Sequence, residues 1–419
     1  MVVETAGPGD AEQVGSSRPL AGVRVLEFGQ FIAGPGASAL LSDLGASVVK
    51  VESLGGDSMR SSDAVQFGVY NKGKRSIALD LRDPRGHAAA RDLALSSDIV
   101  IQNLRPGAMQ RLGLGAEDLR AQRPSLIYGS VTGFGEDGPS AGKPGFDIAA
   151  QAKSGMMSIN GQPGGPPTRV GITIVDGTTA HVMAEAVLAA LYRRERSGEG
   201  ATLSVSLLDV AVHLQSSKFS AFMKSGIEPV PYGDGQQSGQ APSGIMETRD
   251  GRVVMAAYLQ PHWVSFCAAI GRSDLVEEPR FASNELRFRH RSELMAEIQP
   301  YFSSHATSEV VETLTAANIV VAPVNRYADV LADADVRASG ALTQMRGADG
   351  ALVGTIANPI RCPEWGGFPV GEIAQVGQHS EEVLREIDRT PEEVREMLRD
   401  GVVRQPVLEQ STVIDEGTM

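Results

Sequence analysis

Val23-Arg-Val-Leu-Glu-Phe28, Gly29-Gln-Phe-Ile-Ala-Gly-Pro-Gly36 and Ser47-Val-Val-Lys-Val-Glu52 together set the fold class. The first run is β-rich and ends in a glycine turn. A helical pattern from Gly36 to Leu44 follows, and the last run is a second strand. Strand, short helix and strand at this spacing predict a βαβ unit, and therefore parallel pairing. The same rhythm continues outward. Ser76-Ile-Ala-Leu-Asp80 reads as a strand, and Asp83-Pro84 opens a helix with Asp as N-cap and Pro at the first helical position. Asp98-Ile-Val-Ile-Gln102 and Leu126-Ile-Tyr-Gly-Ser-Val131 read as further strands, with a helical segment at Ala116–Gln122 between them. The expectation is an α/β protein whose large Rossmann-like domain carries a parallel sheet.

Beyond this region, a strong helix runs from Ala180 to Arg194, then a strand at Thr202–Ser206 and a helix at Leu207–Leu214. Pro229 to Gly244 is rich in Gly, Pro and Gln and reads as a linker or mobile loop. Arg252–Tyr258, the helix around Trp263, and helices at Ser292–Gln299 and Glu309–Ala317 predict a smaller α/β domain. Val320-Val-Ala-Pro-Val324 starts the return, and Thr390-Pro-Glu-Glu393 is a capping box opening a late helix. The expected division is a disordered tail 1–18, the first part of the large domain 19–215, linker and Gly-rich loop 216–245, small domain 246–328, return 329–404 and flexible tail 405–419.

Length and composition bound the function. The chain has 419 residues, 42% apolar, 21% charged and 5% aromatic, which suits two or three domains. Its 38 basic and 51 acidic side chains give a formal charge of −13, the wrong sign for a protein whose main partner is nucleic acid. Two cysteines, Cys267 and Cys362, are too few for a disulfide framework or a thiolate zinc site, and they fit a reducing compartment. The longest apolar runs fall short of the ~20 residues of a bilayer span. Met1 to Ser17 has neither a basic start nor an apolar stretch, so no secretory signal is read and a cytoplasmic, non-membrane protein is expected.

Candidate chemistry starts at the glycine turn. Gly29, Gly34 and Gly36 imitate a dinucleotide fingerprint, but G-x-x-x-x-G-x-G is not G-x-G-x-x-G, and Pro35 removes an N–H where a phosphate would need one. The plainer reading is a turn that permits tight strand–helix packing. Lys72, Lys74, Arg75, Arg105 and Arg111 lie near strand ends, and such a basic cluster in an acidic protein suits a small polyanion such as a nucleotide phosphate. Asp176, in Gly171-Ile-Thr-Ile-Val-Asp-Gly-Thr-Thr-Ala180, reads either as a helix N-cap or as a functional carboxylate beside Gly177, whose missing side chain lets substrate approach. Asp147 is a second acid, in a turn context. His181 falls on another face of the helix from Asp176 and reads as structural, and the other histidines show no metal-ligand spacing.

Taken together, Pro19-Leu-Ala-Gly-Val-Arg-Val-Leu-Glu-Phe28, Ala33-Gly-Pro35, Leu44-Gly-Ala-Ser-Val-Val-Lys-Val-Glu52 and Gly55-Gly-Asp57 with Arg60 resemble the class III CoA-transferases. This family contains the formyl-CoA, carnitine and bile-acid enzymes and shares its fold with the α-methylacyl-CoA racemases. The likeness continues through Asn71-Lys-Gly-Lys-Arg75, Gln102-Asn-Leu-Arg-Pro-Gly107, Arg111-Leu-Gly113 and Gly133-Phe-Gly135, then Pro323-Val-Asn325 and Gly377-Gln-His379. It covers about residues 19–404. The resemblance implies a large Rossmann-like domain built from both chain ends, a small α/β domain and an interlocked dimer. It also implies acyl-CoA and a carboxylic acid as substrates, with no permanently bound cofactor and no metal. Asp176 falls on the family's catalytic aspartate. Gln30, Phe31 and Ala33 fall at the CoA and active-site entrance. Asn103, Leu104, Arg105, Ala108 and Arg111 fall on the nucleotide side, joined by Lys74 and Arg75 as basic contacts. Thr132 and Phe134 fall at pantetheine positions, and Gly233–Gly244 resembles the glycine loop that closes over the intermediate.

Two departures bear on the chemistry. The formyl-CoA enzymes carry glutamine where this chain has Ile32, which points to a larger, less polar acyl group. The racemases carry His-Asp where this chain has Phe146-Asp147, and a phenyl ring cannot serve as one of the two bases that racemisation needs. A CoA-transferase is therefore the leading expectation, with an acyl-CoA racemase or epimerase and a non-catalytic acyl-CoA binding protein as the alternatives.

Overall fold

The computed structural model describes residues 18–233 and 239–406. In chain order the first elements are β1 (Arg24–Phe28), α1 (Ala33–Asp43), β2 (Ser47–Glu52), α2 (Ala64–Asn71), β3 (Arg75–Leu79), α3 (Pro84–Ser96), β4 (Ile99–Gln102), β5 (Ile127–Thr132), α4 (Asp147–Lys153), α5 (Ile174–Ser197) and β6 (Thr202–Ser206). Seven strands form one sheet in the order β13-β3-β2-β1-β4-β5-β6, where β13 is Val403–Arg404. Every pair is parallel except β13 on β3. This is the doubly wound arrangement that the opening βαβ predicts, with the chain's end added as an antiparallel edge strand.

Both sheet faces are covered, so the strands carry apolar residues on both. Successive residues go to opposite sides. Val25, Val48, Ile99 and Ile101 pack in one core with α1 and α5, while Leu26, Val49, Ile77, Val100 and Tyr128 pack in the other with α3. Asp83 caps α3 as its sequence predicts, accepting from Arg85 N–H at 2.8 Å. The helix α5 is long and apolar enough to cross a bilayer by length and composition, although no run of the sequence looked so. It buries Val175, Ala180, Met183, Val187 and Leu191 in the core, which accounts for its apolar character without a membrane.

The chain forms two compact units. Among the described residues, one comprises those up to Met156, Val170–Ser217 and those from Ala338 onward; the other comprises Met157–Arg169 and those from Lys218 to Arg337. The second unit has an antiparallel sheet in the order β7-β8-β9 (Ser243–Glu247, Arg252–Ala256, Val320–Pro323) over a core of Trp263, Phe266, Phe281 and Phe302. Its borders differ from those expected. The segment 216–245, expected as linker and loop, carries the helix α6 (Ser216–Ser225) and the start of β7. Val320–Pro323 does not begin the return, because it pairs with β8 as the third strand of the small sheet. Residues 234–238 of the expected glycine loop, and nearly all of the two expected tails, lie outside the described residues. Arg18, placed in the first tail, is buried and donates to the carbonyls of Asp43 and Gly367.

Candidate active site

In doubly wound sheets ligands sit beyond the carboxyl ends of the strands where the strand order reverses. Here that point lies between β1 and β4. The loops leaving these two strands are tied together. Asn103 accepts from the Gln30 N–H at 2.8 Å and donates to the Gln30 carbonyl at 2.7 Å. Gly34 lets the loops approach, since a Cβ there would stand 3.0 Å from Asn103 Cγ. Between the clamped Gln30 and the start of α1, Phe31 adopts φ 61°, a conformation costing a β-carbon residue about 1–2 kcal/mol. Its exposed ring meets Phe146 edge-on at 5.4 Å. A cleft of about 410 Å³ opens beside this loop, lined by Gln30, Ser53, Gly55, Leu79, Asp80, Arg82 and Leu104 at the carboxyl ends of β1 to β4.

Under the same loop lies a buried charge cluster. Glu27, fully enclosed, pairs with Lys50 at 2.9 Å and with Lys74 at 2.6 Å, and Ser38 donates to it. Lys50 also donates to the Gly29 carbonyl and pairs with Asp57, while Lys74 donates to the Pro35 carbonyl. Burial alone would raise the Glu27 pKa, but the two ammonium groups hold it at about 2.

This corrects two expected CoA contacts. Lys74 is buried, with its ammonium shared among Glu27, Pro35 and Asn71, and so supports the loop from beneath. Arg75 sits at the amino end of β3, away from the ligand edge, and pairs with Glu382 and Glu386. Lys72 pairs with Asp43. Arg105 and Arg111 behave differently: both are exposed, and among the described residues neither guanidinium has an ion-pair partner. Ala108 stands in the short helix Ala108–Arg111 beyond β4. Thr132 ends β5 and accepts from Gly135 N–H at 3.0 Å, and the Phe134 ring lies under the Lys153 ammonium at 4.7 Å.

Asp176 is not the cap of its helix. The helix begins at Ile174, six residues earlier than the sequence pattern suggests, so Asp176 falls within its first turn. The cap comes from Asp147, whose Oδ2 accepts from the N–H groups of Val175 (2.8 Å) and Asp176 (3.2 Å). Gln151 fixes Asp147 by donating to its other oxygen at 2.5 Å. With the cap supplied from 29 residues away, the Asp176 carboxylate stays free, and among the described residues no group donates to it. Burial, and then the Asp147 charge, push its pKa up to about 7. Gly177 leaves open space, as expected, but its N–H donates to the Thr173 carbonyl at 3.0 Å and is not available to a substrate oxygen. His181 is exposed, with Nδ1 on the Gly177 carbonyl. Ile32 is buried just ahead of α1. Among the described residues no group of His, Cys, Asp or Glu side chains is arranged to hold a metal ion.

The electrostatics give a pH expectation. Replacing Asp147 with asparagine removes the negative charge but keeps an oxygen for the helix N–H groups. The Asp176 pKa then falls, so any step that needs its ionised form should persist to lower pH. The acid limb of kcat/KM for Asp147→Asn is expected to move to more acidic pH than in the wild type. A limb that stays in place or moves upward would contradict the assigned interaction.

The strand order places a cleft at its switch point, and a carboxylate to which no described residue donates a hydrogen bond stands in the first turn of α5. The profile of CoA-transferase family III matches residues 20–380, and the chain belongs to that family. It is thus a class III CoA-transferase. It is 34% identical to the probable fatty acyl-CoA transferase Rv3272 of Mycobacterium tuberculosis, over 87% of this chain and 97% of that protein. It is 36% identical to the succinyl-CoA:mesaconate CoA-transferase of Haloarcula marismortui, over 87% of this chain and 95% of that one. The crystal structure of a CAIB/BAIF family protein from Brucella suis superposes with a TM-score of 0.80 at 29% identity, covering 88% of this chain and all of that one.

Proposed function

We propose that this enzyme moves CoA from an acyl-CoA to a free carboxylic acid through covalent intermediates on Asp176. The observation that carries the proposal is the free Asp176 carboxylate, with a pKa of about 7, at the start of α5. One Asp176 oxygen attacks the donor thioester carbon, the C–S bond breaks, and a mixed anhydride and CoA thiolate result. The thiolate then attacks the aspartyl carbonyl, expelling the donor's carboxylate and leaving an aspartyl-CoA thioester. The acceptor carboxylate attacks that thioester, releasing the thiolate again and forming a second anhydride. Attack of the thiolate on the acceptor's acyl carbon gives the new acyl-CoA and restores Asp176. Dividing the exchange in this way replaces one hard step with several easier ones, and the thioester energy is kept throughout.

In this reading the cleft lined by Ser53, Leu79–Arg82 and Leu104 receives the nucleotide end of CoA, with Arg105 and Arg111 free for its phosphates. The Phe31–Phe146 pair supports a wall for the acyl group. Phe146, a ring without a titratable group, favours transfer over racemisation. A dimer belongs to the proposal as well. In one unit the helix α6 buries none of its residues and leaves Met223 75% exposed, and in the other Leu352 and Ile356 on strand β11 (Leu352–Ile356) stand exposed. Apolar faces of this kind suit a second copy of the chain.

The test is chemical trapping. The enzyme is incubated with acetyl-, succinyl- or phenylacetyl-CoA, quenched with hydroxylamine, digested and analysed by mass spectrometry. The expected product is a hydroxamate on Asp176, and a label on any other residue refutes the mechanism.

A further inference from the structure

Each attack on the Asp176 carbonyl places negative charge on its oxygen, and an enzyme gains most by aiming a donor at that oxygen. The Gly177 N–H is engaged within the helix, so the donor must come from elsewhere. Tyr70, near the end of α2, is well placed to supply it. Its ring lies over the contact between α1 and α5: a Cβ built on Gly36 would stand 3.4 Å from Tyr70 Cδ1 and 2.8 Å from Ala180 Cβ. Its hydroxyl feels the Thr173 side chain and the Asp176 charge electrostatically. Thr173, Asp176 and Ala180, spaced three and four residues apart, share one helix face. The phenol therefore reaches from Ala180 to Thr173 across the turn that carries Asp176. Thr173 stands at the N-cap position but does not cap through its side chain, which leaves its hydroxyl for Tyr70. Burial, opposed by Thr173 and reinforced by the Asp176 charge, raises the Tyr70 pKa and keeps it a neutral donor.

We propose that Tyr70 is a catalytic residue of this enzyme, whose O–H donates to the aspartyl carbonyl oxygen while that oxygen carries negative charge. In the reacting state the Thr173 hydroxyl donates to the phenol oxygen, which frees the phenol proton for the reaction. When the CoA thiolate attacks, the S–C bond forms and the carbonyl π pair moves onto oxygen, where Tyr70 stabilises it without giving up its proton. The pair then returns, the C–O bond breaks, and the donor's carboxylate departs. The acceptor's attack on the thioester uses the same donor.

This inference rests on the Asp176 mechanism, and its test separates the two. Full-length wild type and Tyr70→Phe are mixed with acetyl-, succinyl- and phenylacetyl-CoA, quenched at intervals and weighed intact to follow the CoA adduct. The phenylalanine variant keeps the ring on Gly36 and Ala180 and loses only the hydroxyl. We expect its adduct formation and kcat to fall about 10²-fold, with KM for the acyl-CoA essentially unchanged. Wild-type rates in Tyr70→Phe would overturn the role of Tyr70 while leaving Asp176 intact. No adduct in the wild type with any of the three donors would overturn both. Should Tyr70→Phe fail to fold, Thr173→Val decides: several-fold slower adduct formation supports the proposal, and an unchanged rate overturns it.

Discussion

Asp176→Ala is expected to lose CoA transfer by about 10⁴-fold or more while still binding acyl-CoA, because the proposed covalent route opens through this carboxylate alone. Steady-state transfer between an acyl-CoA and an acid, with acyl-CoA binding measured separately by calorimetry, checks both halves. Transfer at the wild-type rate would end the assignment. The same substitution carries an unusual stability signature. The Asp176 pKa is raised in the folded state, so the folded protein holds its proton more tightly than the unfolded chain does. Its charge therefore penalises folding above the unfolded pKa of about 4, fully so above the folded value of about 7. Asp176→Ala should melt a few degrees higher than the wild type at pH 8, and the gain should vanish near pH 4. A nucleophile kept destabilised for function shows this pattern, and a structural aspartate shows its opposite.

The second large effect is on folding itself. Glu27→Ala leaves the Lys50 and Lys74 ammonium groups buried with their shared carboxylate gone. Breaking a buried ion pair from one side costs about 3–5 kcal/mol. The variant should unfold at markedly lower denaturant, or fail to accumulate as folded protein. Because Lys50 holds the Gly29 carbonyl and Lys74 the Pro35 carbonyl, any folded fraction should show a higher KM for acyl-CoA. Retention of wild-type stability would mean that the cluster is not the support described. The pH dependence follows from the depressed Glu27 pKa. Its stabilising contribution is present above the unfolded value of about 4 and is lost as the pH falls through about 2.

Most of the large sheet could be read from the sequence, because a strand covered on both faces needs apolar residues on each, and Val25, Leu26, Val48, Val49 and Ile99–Ile101 supply them. The division into units was harder. Gly, Pro and Gln between Pro229 and Gly244 signal a flexible connection, yet Ser243 already begins a strand whose partner is Arg252–Ala256. At the site, Asp176 was ambiguous because an aspartate near a helix start serves equally well as cap or nucleophile. Only the tertiary contact from Asp147 settles that Asp176 does not cap. Lys74 looked like a phosphate ligand because its partner Glu27 is 47 residues away, and local sequence carries no trace of that pairing. Ser53 and Leu79–Arg82 were missed as cleft residues, although their positions just beyond β2 and at the end of β3 could have suggested them. Tyr70 carries no motif at all. It lies in an ordinary helix, and its relation to Asp176 exists only once α1 and α5 are packed.

The pairing of Val403–Arg404 with β3 bears on how the protein is made. During synthesis the parallel strands near the amino end leave the ribosome more than three hundred residues before their last neighbour does. Until then Ser76–Leu79 presents an unpaired backbone edge, the kind of surface that other nascent chains join and that chaperones shield. A stop codon only a few positions before Val403 would make that temporary edge permanent.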